Sequence, residues 1–499
     1  MKRNVLLRVA SLALVLLMLL AIVCSCSPNS DKPDQPDDPN KPNDPNTPGD
    51  GDDSDDTNYT ANVPAGYTCN DETFTVYAYP EDVFVWKDFD WQNNGIDGDR
   101  IGSAVYKRTS KVEEDLHVTI EYYCGKSYSD PAEFRTSAST GEGDFDIANV
   151  TMLNHISMVQ QGLLAEINSY GKLDLTAPWW DQNILPDLSI NHMNFCLTGD
   201  IGTMYKRCIA CIIFNKEMLS SNNLENPYPL VTGRKWTLET MVEMGQQVSE
   251  DLDANDAWNE KDRFGLIYFS DVLPAMEISC GVPYATKNED DIPEVSLYCD
   301  EAIDVLETAA ELLFDETLSY NVTSHGQDES LMWTMFMNNQ ALFYYGELHS
   351  AEDMRASDYD FGILPMPLYD DTQEEYRHTV NPNVAAVLVI PLDNTAEERT
   401  SYILDSLGAA SKNLLTPAYY DLNLKGVTTR DTESTVSLDI IISTMSYDMG
   451  YLYLADTGAM LRDLCNTKST AFASKYKTYE NSLNSAIDKI VQALEDRYS

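Results

Sequence analysis

The stretch "DLDANDAWNEKD", Asp251 to Asp262, spaces oxygen-bearing side chains as a divalent cation needs them. Asp251, Asp253 and Asn255 fall at loop positions one, three and five; Asn259 and Asp262 fall at nine and twelve. Calcium takes roughly six to eight oxygen ligands, and twelve-residue calcium loops draw them from such positions. Two departures weaken the match. Asp256 stands where the sharp turn prefers glycine, and Asp262 is shorter than the glutamate that usually closes the loop. A solvated acidic surface loop is the leading reading, with no cofactor required; a structural Ca2+ is the alternative.

Aromatic residues are the second informative class. All seven tryptophans and all 29 tyrosines lie beyond the first 57 residues. Sugars present flat C–H faces ringed by hydroxyls, which aromatic rings and planar polar side chains match well. In "EDVFVWKDFDWQNNGIDGD", Trp86, Asp88 and Trp91 share a polar loop and are candidate ligand contacts. "TAPWWDQN" sets Trp179 beside Trp180. Adjacent side chains diverge on strands and helices alike. Trp179 is therefore assigned to the core and Trp180 to the neighbourhood of a ligand. Trp236, Trp258 and Trp333 read as structural. Enzyme signatures are missing: none of the six histidines sits in H-E-x-x-H, and there is no G-x-S-x-G or Walker loop. A glycosidase-like carboxylate pair has no positional support.

The elements that must carry these residues alternate. "ETFTVYAYP", "HVTIEYY" and "DFDIANV" read as strands. Ile101, Val105, Val112 and Leu116 mark a helix between the first two, and Ile156, Val159 and Leu163 another after the third. Strand–helix–strand alternation implies a mostly parallel sheet wrapped by helices, with ligands at the strands' carboxyl ends. That places Asn149 and Thr151 on the same rim as Trp86, Asp88 and Trp91.

The N-terminus bears on location. Lys2, Arg3 and Arg8 precede an apolar run from Val9 to Val23, which ends in Ser25-Cys26. The run is short for a membrane span and reads as an export signal over residues 1–25. It resembles a bacterial lipobox, with Cys26 the lipidated residue and membrane attachment through that lipid anchor. Residues 26–60 read as an acidic tether: Ser27–Asp56 holds ten aspartates against two lysines and many prolines. The net charge of −48 argues against nucleic acid, since no basic groove is on offer. Eight further cysteines include Cys208 and Cys211, which read as core thiols.

In order, "GSAVYKRTSKVEEDLHVTI", "GDFDIANV…QQGLLAEI", "PWWDQN", "CIIFNKEML", "YPLVTGRKWTLETM" and "FGILPMPLYDDTQEEY" resemble the family 1 extracellular solute-binding proteins, typified by maltodextrin-binding protein. The resemblance implies an α/β fold of the periplasmic-binding-protein type II class: two lobes, each a mostly parallel sheet wrapped by helices, with a cleft between them. It places lobe 1 at 61–210 and 360–410 and lobe 2 at 211–359 and 411–499. It nominates Tyr345 and Glu347, with Tyr344, as cleft residues. It also implies a monomeric, lipid-anchored receptor on the outer face of the cytoplasmic membrane. Such a receptor captures a neutral solute, a carbohydrate or oligosaccharide, and delivers it to the transmembrane subunits of an ABC permease. A peptide or polyol ligand, a glycan-tethering or sensory lipoprotein without transport, and a glycosidase are the alternatives.

Overall fold

The computed structural model describes residues 58–79, 100–354, 359–420 and 432–498. Two sheets dominate the body from Asn58 onward. The first contains β1 (Glu72–Ala78), β2 (Val118–Cys124) and β3 (Ile147–Thr151), as the alternation predicts. The second contains β4 (Ala210–Asn215), β5 (Phe264–Tyr268), β8 (Ser319–Asn321), β9 (Ala341–Glu347) and β10 (Phe361–Leu364). β6 (Ala285–Lys287) and β7 (Pro293–Val295) form a hairpin, and β11 (Ala386–Val389) returns to the first sheet.

The first sheet has the order β11-β3-β1-β2, with β1 parallel to β2 and β3 and with β11 antiparallel to β3. Its covering helix Arg100–Leu116 buries the predicted face of Ile101, Val105, Val112 and Leu116, which packs with the helix Glu397–Tyr419. The second sheet has the order β10-β4-β9-β5-β8; β5 is parallel to β8 and β9, and β4 is antiparallel to β9 and β10. β4, β5 and β9 are buried along their whole lengths, as strands covered on both faces must be. The sequence boundary at residue 360 assigns Phe361–Leu364 to the first lobe. The structure corrects this, because β10 is hydrogen-bonded to β4 and the chain crosses back only after it. The C-terminal helix Phe472–Tyr498 buries Leu483, Ile487, Ile490 and Leu494, which recur every three or four residues along one face. Each such side chain contributes about 1.5–3 kcal/mol when fully buried. No helix among the described residues is long and apolar enough to cross a membrane.

Candidate functional site at the crossing of the lobes

Two strand registers locate the site. Ala386, where β11 begins, pairs with Thr151, where β3 ends. Ala210, where β4 begins, pairs with Glu347, where β9 ends. Both β4 and β11 are entered directly from a chain crossing between the lobes, so each sheet turns the carboxyl ends of its parallel strands toward those crossings. The crossings pair with each other: Ile209 bridges Val380, Ala210 N–H donates to Thr379 O at 3.1 Å, and Asn381 N–H donates to Cys208 O at 3.0 Å. A third segment lies alongside, with His378 bridging Met445. These crossings join the lobes, with strand carboxyl ends on either side, the position where α/β proteins bind ligands.

The second lobe's wall is acidic and aromatic. Glu347 is buried; its Oε1 accepts from Asn381 Nδ2 at 2.8 Å, and its Oε2 lies 3.2 Å from His349 Nε2. Burial opposes the charge on His349, but Asp353 and Glu347 outweigh it and push its pKa up to about 10. Asp271 follows β5 on the same edge and pairs with Arg462 at 3.0 Å. Tyr345 is also buried: its hydroxyl donates to Asp271 O at 3.2 Å and its ring packs on Phe269 at 5.0 Å. Glu329, at the start of the helix Glu329–Met337, is exposed. Surrounding protein, then the negative charge of Glu347, raises its pKa. Trp333, which reads as structural from sequence, is half-buried one helical turn beyond Glu329, on the same face. The sequence pass missed Asp271, Glu329, His349 and Asn381. Only their positions after strands or at the start of a helix could have flagged them.

Of the first lobe's nominated residues, Thr151 ends β3 and Asn149 lies within it. Trp86, Asp88 and Trp91 lie outside the described residues. Asn149 is buried in β3, where it borders a small, partly open pocket with Thr198, Met204 and Tyr205. Thr151 caps the helix Met152–Gln160, its hydroxyl accepting from Asn154 N–H at 3.1 Å. Tyr123 and Tyr128, unmarked in the sequence reading, are exposed at the carboxyl end of β2 on the same rim. The divided reading of the tryptophan pair is corrected: Trp179 and Trp180 are both buried, and both Nε1–H groups donate to Asp405 Oδ1, at 3.2 and 3.1 Å. The pair lies in a turn followed by a bridge to Gly199, so the divergence expected on a regular strand or helix does not hold. Glycine is required on either side of it. A Cβ at Gly199 would lie 2.2 Å from Trp179 O, and one at Gly408 would lie 2.2 Å from Trp179 Cδ1.

Asp251, Asp253 and Asp262 bring carboxylate oxygens within 4.8 Å of one another, a cluster that could chelate a divalent ion. The loop is pinched shut by Glu250 and Arg263, which exchange backbone hydrogen bonds at 3.0 Å and pair through their side chains. Asp256 adopts φ 62°, so the left-handed turn forms without the glycine that calcium loops favour. Asn255 and Asn259 each spend their side-chain oxygen on a nearby backbone N–H, Ala257 and Lys261 respectively. Cys208 and Cys211 are buried and unbridged, in keeping with core thiols.

No protein-family model matches the chain, and no curated protein matches it in sequence. Solved structures do match in shape. A cyclo/maltodextrin-binding protein complexed with maltotetraose aligns with a TM-score of 0.54 at 11% identity, over 86% of this chain and 98% of that one. An ABC substrate-binding protein from Listeria monocytogenes in complex with cycloalternan aligns at 0.53 and 13% identity, over 85% and 99%. UgpB from Mycobacterium tuberculosis in complex with glycerophosphocholine aligns at 0.53 and 15%, over 78% and 95%. The fold is that of the two-lobed solute-binding proteins of ABC transporters, with mixed sheets wrapped by helices.

Proposed function

We propose that the protein is a non-catalytic, lipid-anchored receptor that captures a small neutral solute, a carbohydrate or oligosaccharide, between its lobes and delivers it to an ABC permease. The observation that carries this reading is the pair of registers Thr151–Ala386 and Glu347–Ala210, which turn the strand ends of both sheets toward the crossings. Carboxylates such as Asp271 and Glu329 are strong acceptors for vicinal hydroxyls, and rings such as Trp333 and Tyr128 suit sugar C–H faces. Closure about the crossings would enclose the solute, as in other hinged binding proteins. Anchoring through Cys26, an extracytoplasmic location and a Ca2+ at Asp251, Asp253 and Asp262 belong to the same proposal. A thermal-shift screen against a saccharide library tests it, because a ligand that binds only the folded state raises the melting temperature.

A second reading has one observation in its favour. The second-lobe wall carries Glu329 without a cationic side chain bound to it among the described residues, while Asp271 and Glu347 already have Arg462 and His349. That wall would suit a ligand with a quaternary or protonated amine, the chemistry of the glycerophosphocholine bound by the Mycobacterium protein. Choline-bearing and amino-sugar compounds therefore belong in the screen.

A further inference from the structure

His378 is fully buried beside the crossings, and the binding reading gives it no role. Its Nε2 accepts from Met366 N–H at 3.1 Å. A neutral imidazole with an acceptor at Nε2 carries its proton on Nδ1. That proton points to Thr444 Oγ1 at 2.7 Å, whose own hydroxyl donates to Ile440 O at 2.7 Å. The His378 backbone is bound as well: its N–H donates to Thr444 O at 3.1 Å and its carbonyl accepts from Ser446 N–H at 2.9 Å. Met366 lies in the second lobe's core just past β10, and Ile440 lies in the helix Thr432–Ser443, which packs on β10. Two residues further along, Val380 pairs with Ile209 of the other crossing.

We propose that His378 is the positioning residue that clamps the second-lobe end of the hinge, so that lobe motion bends the chain beyond it, at 379–385. One ring ties its own stretch of chain to two others, at Met366 and at Thr444, through an ordered run of donors and acceptors, which no aliphatic side chain can do. Below His378 the crossing moves with β10; above it the crossing is held chiefly by its partner strand and by Ala385 and Pro382, which accept from the first N–H groups of the helix Met152–Gln160. The clamp rests on the proposed closure of the lobes, but its test needs no ligand.

The experiment uses the full chain with spin labels carried by non-canonical residues at Lys107 and Glu311, exposed sites on the covering helices of the two lobes. It combines pulsed distance measurements with hydrogen exchange. His378→Leu is expected to broaden the inter-lobe distance distribution and speed exchange at the Met366 and Ser446 amides at least tenfold, while β1 and β9 stay as protected as before. His378→Gln, which keeps an acceptor near the Nε2 position, is expected to restore protection at Met366 alone. His378→Asn, which keeps a donor near Nδ1, is expected to restore the Thr444 side alone. An unchanged distance distribution in His378→Leu would overturn the proposal. So would uniform loss of protection across both sheets, or equal behaviour of the Gln and Asn variants, since either marks an ordinary core residue.

Discussion

Asn381 holds Glu347: a 2.8 Å hydrogen bond from Nδ2 to Oε1 ties the second crossing between the lobes to the last residue of β9. The carboxylate nominated for ligand contact is thus bonded to the segment proposed to bend. Asn381→Ala is expected to lower stability by about 1 kcal/mol, the typical value of one such bond, and to alter ligand affinity without touching the ligand. Urea unfolding and titration of the screened saccharide check this. If affinity follows stability alone across Asn381→Ala, Asn381→Asp and Asn381→Ser, the bond does not couple site to hinge.

His349 stands beside the same carboxylate. Its pKa is raised from 6.5 to about 10, so the folded state holds a proton that the unfolded chain loses near 6.5. The stabilisation is fully present below pH 6.5 and fades as pH rises toward 10. His349→Gln should therefore cost most at acidic pH and progressively less above neutrality. Imidazole NMR at pH 8 should show the doubly protonated ring; a neutral ring there would refute the assignment.

Glu277 shifts stability in the same direction with pH, but from burial rather than from a charged partner. Both carboxyl oxygens are buried without a hydrogen-bond partner, and burial raises its pKa well above 4.5. The native state keeps a proton that the unfolded chain releases, so stability falls as pH rises from 4.5. Glu277→Gln should match the parent near pH 4 and gain stability over it as pH rises toward 8. A constant difference across that range would show that ionisation is not the cost.

Asp405 makes a sharper case for the tryptophan pair. Removing its carboxylate strands two buried indole N–H groups and the Asp174 N–H that bonds to Oδ2 at 2.9 Å. Asp405→Ala should destabilise by about 2–4 kcal/mol and alter the fluorescence of Trp179 and Trp180. A loss below 1 kcal/mol would mean that the three bonds do not hold the pair.

Calcium offers a separate check. Added Ca2+ should raise the melting temperature, chelator should reverse the rise, and Asp251→Asn with Asp253→Asn should abolish it. An identical melting curve with calcium and with chelator would leave the loop a surface turn.

Much of this architecture could be read in the chain before any coordinates. The alternating strands and the Ile101–Leu116 face emerged because their burial follows simple periods. The site was less legible. Thr151 sits at the predicted strand end, yet its hydroxyl is taken by a helix cap, a local role that composition does not reveal. Trp180 was misplaced because the rule for adjacent side chains assumes a regular element, whereas this pair converges on a carboxylate more than 220 residues away in sequence. Asn381 and His378 matter through partners on distant segments, and no local pattern marks such contacts.

The most direct test of the central claim is calorimetric titration of the purified chain with each saccharide that raises its melting temperature, followed by recovery of the ligand. One saccharide should bind at one site per chain, draw the lobes together in the distance measurement, and be recovered chemically unchanged. Absence of any saturable small-molecule binding, or the appearance of new reducing ends in the recovered sugar, would contradict a receptor that grips its solute without altering it.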